Sequence, residues 1–403
     1  MRRGAAISLL GTLLLSCAHL ERAGPIAVAL PSEALPRIRV GLVVNQSRAV
    51  IGGGAALLLS SPDGSPLGRI PAGTTALVTR QGAGVRVEVA GASLGTMEAA
   101  VVSPEDAGFV RVGERDYRGV LDLVPIGDGL VVANRVAVED YLVGVVNAEM
   151  GRRAPGELEA LAAQAVISRT VAVRAIDRAP QRGFDLFATV ADQAYLGVSS
   201  ELPQGAEAVN STRGMVLAHG GAPIDAFFHS TCGGRTADPT EIFSGAGGRA
   251  YLRTVSDQAP DGTDYCAISP RYRWREEWTG PQLTATLRET LQRPALGRVD
   301  AVDVASRGST GRVLTVLVRH PGGRELVEGA NAVRQALRPP AGGLLRSSDF
   351  TLKAAAAGGG GRWRSHGKEY SGKQYRQDTA LQVPRVRQPC PGADPPAGSL
   401  TLV

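Results

Sequence analysis

The feature that most constrains the fold is a change of apolar period near residue 137. Before it, short apolar runs such as IRVGLVV, AALLLS and VRVEV follow one another with glycine turns between them, as is typical of β-strands. After it, VEDYLVGVVNAEM and ELEALAAQAVISRTVAVRAI repeat apolar residues every three or four positions, as helices do. The sequence contains 51 glycines among 403 residues, and it therefore predicts an α+β fold that is β-rich with a few helices.

The N-terminus has the layout of an export signal. MRRGAAISLLGTLLLSC carries two arginines, then an apolar stretch, then a small residue before Cys17. The Leu-Leu-Ser-Cys run resembles a bacterial lipobox, whereas a plain secretory peptide would be cut nearby. We expect Cys17 to be lipidated and the protein to be an exported, membrane-anchored lipoprotein of the periplasm or cell envelope. The net charge of +6 is spread along most of the chain and argues against a nucleic-acid partner.

Charged residues on both predicted helices interrupt apolar faces. Glu149 follows Leu142, Val145 and Val146 at helical spacing, so it is expected on the buried face of the first helix. Arg169 is expected in the centre of the apolar face of the second helix. Burial and the negative end of the helix dipole should both raise the pKa of Glu149, which a general acid requires. A buried Glu149–Arg169 ion pair with a purely structural role is the alternative.

The predicted export also bears on whether the cysteines form disulfides. Cys232, Cys266 and Cys390 would meet an oxidising compartment, and we predict a disulfide between Cys232 and Cys266. The segment AFFHSTCGGRT is read as the second strand of a hairpin that turns at Gly220-Gly221. Zinc held by His229, Cys232 and Cys266 is the weaker alternative, because His-x-x-Cys alone supplies too few ligands. No metal site is therefore predicted.

The region after residue 270 predicts further strands and helices. RYRWREEW is a strand whose aromatic residues pack in the core or stack on a sugar, with the core favoured. QLTATLRETL and NAVRQALRPP are predicted helices. VDAVDVASR, VLTVLVRH and RELVEG are predicted strands.

The quoted helices, together with FDLFATVADQAYLG, AFFHSTCGGRT and LLRSSDFTL, resemble the family of sporulation stage II protein D and the amidase enhancer LytB. The resemblance covers about Arg37 to Leu352. It implies a peptidoglycan lytic transglycosylase that cuts glycan strands, in sporulation members those without stem peptides. It places the catalytic glutamate on Glu149. The remaining site positions, which the resemblance implies bind substrate, are Gln164, Arg169, Gln193, Tyr195, His229, Ser230 and Thr231.

One acid is enough for this reaction. A glutamate protonates the leaving oxygen and then takes the proton of the sugar's own 6-hydroxyl, which leaves a 1,6-anhydro end. Glycosidases that use water commonly need two carboxylates, and Asp192 is the best second candidate. Members of the family usually follow the equivalent of SSDFTL with a Gly-His-Gly-Val-Gly motif, but this chain has AAAAGGGGRWRSHG, in which His366-Gly367 is a faint remnant.

The predicted organisation has six parts. They are a lipoprotein signal peptide (1–17), a linker (18–37), a β-rich N-terminal part (38–136), a catalytic core (137–280), a C-terminal α/β part of the same region (281–352) and a divergent tail with little order (353–403). The tail is assigned on the loss of apolar pattern and its density of Arg, Gln and Pro.

Two rival functions remain open at this level. One is a lipoprotein that binds glycan, or activates a separate cell-wall amidase, without cutting bonds. A pure binder has little reason to bury a carboxylate that holds a proton. The other is a zinc-dependent peptidase or amidase, against which the missing His-Glu-x-x-His pattern counts.

Overall fold

The structure is a computed structural model, and it describes residues 25–30, 36–243, 249–355, 362–368 and 386–387. From residue 354 onward only the backbone is described. The predicted signal peptide, Cys17 and Cys390 lie outside the described residues. Among the described residues, no helix is both long and apolar enough to cross a membrane.

The described residues pack as two compact units, of which the first holds those between 23 and 228 and the second those between 229 and 372 together with 386–387. This boundary falls inside the predicted catalytic core of residues 137–280. The physical reason is that the two helices after residue 137 share one apolar cluster with the N-terminal strands. They therefore belong with the strands before them and not with the chain beyond residue 229.

The first unit contains sixteen strands and three α-helices among its described residues. Its strands are β1 (Ile26–Ala29), β2 (Arg37–Gln46), β3 (Arg48–Gly52), β4 (Leu57–Ser60), β5 (Pro66–Ile70), β6 (Thr75–Gln81), β7 (Gly84–Val89), β8 (Ala92–Met97), β9 (Ala100–Pro104), β10 (Val110–Val112), β11 (Arg115–Tyr117), β12 (Val120–Ile126), β13 (Gly129–Ala137), β14 (Leu186–Phe187), β15 (Met215–His219) and β16 (Ala222–Pro223). Its helices are α1 (Val138–Met150), α2 (Leu158–Ala175) and α3 (Pro203–Ser211).

These strands form a seven-stranded sheet, β14-β2-β13-β12-β9-β4-β5, a six-stranded sheet, β11-β10-β3-β6-β7-β8, and a small sheet, β1-β15-β16. β13 lies between β2 and β12, and its first six residues are all buried, which explains its continuous apolar run. α1 begins directly after β13. Leu142, Val145 and Val146 on α1 are completely buried, as predicted, and each contributes about 1.5–3 kcal/mol through burial.

The hairpin at Gly220-Gly221 is shorter than predicted. β16 is only two residues long and ends at Pro223, and the segment from there to Thr231 is not a named strand. Proline has no backbone N–H to donate to a neighbouring strand, which limits the ladder at this point.

The second unit contains β17 (Arg273–Thr279), β18 (Ala301–Arg307), β19 (Val313–His320), β20 (Gly323–Glu328), β21 (Phe350–Ala355), β22 (Arg362–Lys368), β23 (Val386–Arg387) and the helices α4 (Pro239–Ile242), α5 (Gly280–Thr290) and α6 (Ala330–Ala336). Its sheets have the orders β17-β22-β21 and β18-β19-β20-β23. The strands and helices predicted after residue 270 are confirmed.

Two details of the second unit decide open points. Trp274 and Trp278 are 8% and 1% exposed and belong to its apolar core, so the core role of these aromatics is confirmed. β22 lies within the segment predicted as a tail with little order, and it is the central strand of its sheet. β22 thus lies beyond the predicted boundary at residue 353. The charged sequence of β22 shows no apolar alternation. A strand can still pair with two neighbours through its backbone, because that pairing does not require an apolar pattern.

Candidate active site

Glu149 lies in the last turn of α1, which ends at Met150 and is capped by Gly151. Its side chain is half-buried. The backbone N–H of Ala194 donates a hydrogen bond to Glu149 Oε1 at 2.5 Å. One carboxylate oxygen is thus held by a fixed backbone donor from a different part of the first unit.

This position differs from the full burial that the helical spacing predicted. Glu149 is on the predicted side of α1, but it is at the end of the helix, where the side chains are only partly buried. The hydrogen bond from Ala194 fixes the direction of the carboxyl group. The carboxyl group can therefore both be held in place and meet a ligand from solution.

The segment that supplies the Ala194 donor is fixed by three buried contacts. Asp192 Oδ2 accepts a hydrogen bond from the Phe187 N–H at 2.7 Å. The Tyr141 hydroxyl donates to Gln193 Oε1 at 3.0 Å, and the Tyr195 hydroxyl donates to Asn134 Oδ1 at 2.9 Å. Each contact ties the segment to a regular element, so the donor that holds Glu149 is rigidly placed.

Tyr195 packs directly against α1. Its ring lies 4.9 Å from that of Tyr141, and a Cβ on Gly144 would come within 2.8 Å of the Tyr195 ring. Glycine at position 144 is what permits this approach. Burial raises the pKa of Tyr195, so the phenol stays protonated and does not serve as a base.

The partner of Arg169 is Glu139 and not Glu149. Arg169 is fully buried, and its Nε and Nη2 donate to the two Glu139 carboxylate oxygens at 2.7 and 2.8 Å. The alternative of a Glu149–Arg169 pair is wrong. The connection between α1 and α2 is short, so the chain reverses there and a residue far along α2 lies beside the start of α1.

The remaining predicted substrate-binding residues of the first unit lie in its interior. Gln164 is 6% exposed and donates to Ser168 Oγ at 2.9 Å. Gln193 and Tyr195 are 0% and 2% exposed. With Arg169, these residues support the site from within, and direct contact with a substrate stays a prediction that this structure does not show.

The other predicted residues, His229, Ser230 and Thr231, begin the second unit. His229 is half-buried and Ser230 is exposed, whereas Thr231 is fully buried. Thr231 Oγ1 donates to Ser269 Oγ at 3.1 Å. Burial, and to a smaller extent Arg312, lowers the pKa of His229, which favours the neutral imidazole near pH 7.

Cys232 and Cys266 are brought together, but the predicted disulfide is absent. Their sulfur atoms are 3.7 Å apart and both thiols are free, whereas a disulfide needs about 2.05 Å. Burial raises the pKa of Cys232 to about 12. The carboxylate of Asp257 lies beside both sulfurs. Sequence reasoning missed Asp257, although its position nine residues before Cys266 was a signal that could have been weighed.

Asp192 provides a test of the electrostatics near Glu149. Burial raises the pKa of Asp192, against the smaller opposing effects of the Phe187 amide and Arg182. The folded protein therefore holds this proton to a higher pH than the unfolded chain does, and the associated stability is lost as the pH rises from about 4 through the raised pKa. Asp192→Asn keeps the oxygen that accepts from Phe187. We expect its Tm to rise relative to wild type between about pH 4 and 7.

The measurement is thermal unfolding at a series of pH values, with the exposed Asp128→Asn as the control variant. The control should track the wild type across the series. A difference between Asp192→Asn and wild type that does not change with pH would contradict the burial effect.

Comparison with known families finds two matching segments in the chain. Residues 127–219, which include α1, α2 and Glu149, match the family model described as stage II sporulation protein, SpoIID. This segment of the chain is therefore similar to the SpoIID family. Residues 248–370 match a second model, a domain of unknown function named DUF8618. The SpoIID match lies in the first unit and the second match in the second unit, which agrees with the packing boundary.

Known relatives support the same family. An uncharacterized protein of Brachyspira hyodysenteriae is 31% identical over 170 residues, which are 42% of this chain and 44% of the relative. Stage II sporulation protein D of Bacillus amyloliquefaciens is 26% identical over 235 residues, 54% of this chain and 60% of the relative. The protein of the same name from Bacillus subtilis is 30% identical over 167 residues, 38% and 46% respectively. The chain thus spans less than two thirds of the length of each of these relatives.

Proposed function

We propose that this protein acts at the cell wall, where it cleaves the glycan strands of peptidoglycan as a lytic transglycosylase with Glu149 as acid and base. The observation that carries the proposal is the half-buried Glu149 carboxyl group, oriented by the Ala194 N–H inside the SpoIID segment. A general acid needs such a group within reach of a ligand and fixed in direction.

The hydrogen bond assigns roles to the two carboxyl oxygens. Oε1 accepts the hydrogen bond of the Ala194 N–H, and in the proposed reaction Oε2 carries the proton. Oε2 would donate this proton to the glycosidic oxygen as the C1–O bond breaks. The carboxylate would then accept the proton of the 6-hydroxyl as that oxygen bonds to C1. The acid is regenerated and no water is consumed.

Two other buried acidic residues of the SpoIID segment are engaged in ion pairs. Glu139 is paired with Arg169, and Asp185 accepts from Arg39 at 2.8 Å. Asp192, whose carboxylate accepts from a backbone amide, is the alternative acid or the second carboxylate of a hydrolase.

Product analysis tests the proposal. Purified glycan strands, with and without stem peptides, are incubated with the full-length protein and the products are analysed by mass spectrometry. We expect ends one water lighter than hydrolytic ends, which identifies 1,6-anhydro sugars. Ordinary reducing ends would point to a hydrolase that uses Asp192. Binding of glycan without any cleavage would instead support the rival function of a glycan-binding protein or amidase activator.

A further inference from the structure

A second cluster of reactive groups lies in the second unit. The sulfur atoms of Cys232 and Cys266 and a carboxylate oxygen of Asp257 all lie within 4.8 Å of one another. Both cysteines are buried, at 3% and 9% exposure, and Asp257 is half-buried. The proposed cleavage reaction does not use any of these groups.

The distances within the cluster suit a metal ion. Zinc binds thiolate sulfur at about 2.3 Å in a tetrahedral arrangement, which places two such sulfurs about 3.8 Å apart. The observed separation of the Cys232 and Cys266 sulfurs is 3.7 Å. The two sulfurs therefore already stand at the spacing of two zinc ligands, without the closer approach that a disulfide requires.

Asp257 distinguishes a metal site from a disulfide. The Cys232 thiol donates a hydrogen bond to Asp257 Oδ2 at 2.9 Å. A disulfide would remove this donor and leave the carboxylate against two neutral sulfurs. A bound cation would use all three groups, because sulfur and carboxylate oxygen are both ordinary zinc ligands.

The surroundings balance the charge of such a site. Two thiolates and one carboxylate carry three negative charges, of which a divalent ion neutralises two. The buried Arg312 contacts the segment that carries Cys232, because its Nη2 donates to the carbonyl oxygens of Cys232 and Arg235, both at 2.8 Å. The Gly234 N–H donates to Cys232 Sγ at 3.3 Å, a contact that favours a thiolate.

Gly234 is suited to this arrangement. Its φ of +96° is in the left-handed region, and a Cβ there would come within 2.3 Å of the Asp264 carboxylate. Only glycine lets the backbone pass this point and donate its N–H to the sulfur.

We propose that Cys232, Cys266 and Asp257 form a zinc-binding site. On binding, each thiol loses its proton as its sulfur bonds the metal, so two protons are released per zinc ion. The ion would join the segment that carries His229, Ser230 and Thr231 to the segment from Asp257 to Cys266. This proposal is independent of glycan cleavage.

Metal analysis of the full-length protein tests the site. Protein purified without reductant or chelator is analysed for zinc, and its thiols are counted and mapped by peptide analysis under non-reducing conditions. We expect one zinc per chain and no Cys232–Cys266 disulfide. Replacement of zinc by Co²⁺ should give the absorption of cobalt bound by sulfur in a tetrahedral site.

Two variants assign the ligands. Cys266→Ser should lose stoichiometric zinc, and Asp257→Asn should bind zinc at least about tenfold more weakly. The exposed Asp261→Asn is the matched control and should bind zinc as the wild type does. If Asp257→Asn does not fold, the cobalt spectrum of the wild type shows whether the cluster binds a metal through sulfur. A disulfide between Cys232 and Cys266, or reduced protein that takes up no zinc or cobalt, would overturn the proposal.

Discussion

Glu149→Gln should abolish glycan cleavage, with a fall in rate of about 100- to 10,000-fold or more, because one residue serves both proton transfers. Glutamine keeps the Oε1 atom that accepts from Ala194 but has no acidic proton to transfer. The fold and the affinity for glycan should therefore change little. The measurements are the rate of release of anhydro ends, the Tm and the binding of glycan strands.

Glu159→Gln is the matched control, since Glu159 lies exposed on the neighbouring helix α2 and should retain wild-type activity. Cleavage by Glu149→Gln within tenfold of wild type would eliminate Glu149 as the acid. Asp192 would then be the next residue to replace. A folded variant that binds glycan and does not cut it would support the proposed role.

Arg169→Met should produce the largest loss of stability, about 3–5 kcal/mol, because it leaves the Glu139 carboxylate buried without its counter-charge. Arg169 also donates to the carbonyl oxygens of Met215 and Val209, at 3.1 and 3.2 Å, and both would lose this donor. Denaturant unfolding measures the effect. The exposed ion pair Arg298–Asp300 offers the control, since Arg298→Met should cost only about 0–1 kcal/mol.

The double variant Glu139→Leu with Arg169→Met separates charge from packing. It removes both buried charges, so it should recover much of the stability that the single variant loses. A loss below 1 kcal/mol for Arg169→Met alone would mean that the buried pair contributes little to the packing of α1 on α2. Both variants leave Glu149 untouched, so any loss of cleavage by a folded variant would report on the support of the site.

The positions of the helices and of the catalytic candidate follow from local pattern. The stripe of Leu142, Val145 and Val146 predicts α1 and the side on which Glu149 lies, because the helical period requires only the residues of the helix itself. The same holds for the strand that carries Trp274 and Trp278. Their period and bulk predict burial, and both are buried.

The contact partners of these residues could not be predicted from the sequence. Apolar spacing indicates that Arg169 faces inward, but it carries no information on which carboxylate faces it. The chain reverses between α1 and α2, and this reversal brings Glu139 beside Arg169. The depth of Glu149 also depends on its neighbours, since the end of a helix is covered only if another segment reaches it. Here the segment that carries Ala194 reaches it and supplies a hydrogen bond.

By itself, the sequence determined the β-rich α+β class, the helices α1 and α2, the SpoIID resemblance and the choice of Glu149, since each rests on residue types at short spacing. Only the tertiary structure decided the partner of Arg169, the boundary at residue 229, the central place of β22 and the approach of Asp257 to Cys232 and Cys266. Each of these depends on segments distant in sequence, whose packing is selected by the shape and charge of the whole unit. The periodicity of one segment does not indicate which distant segment will pack against it.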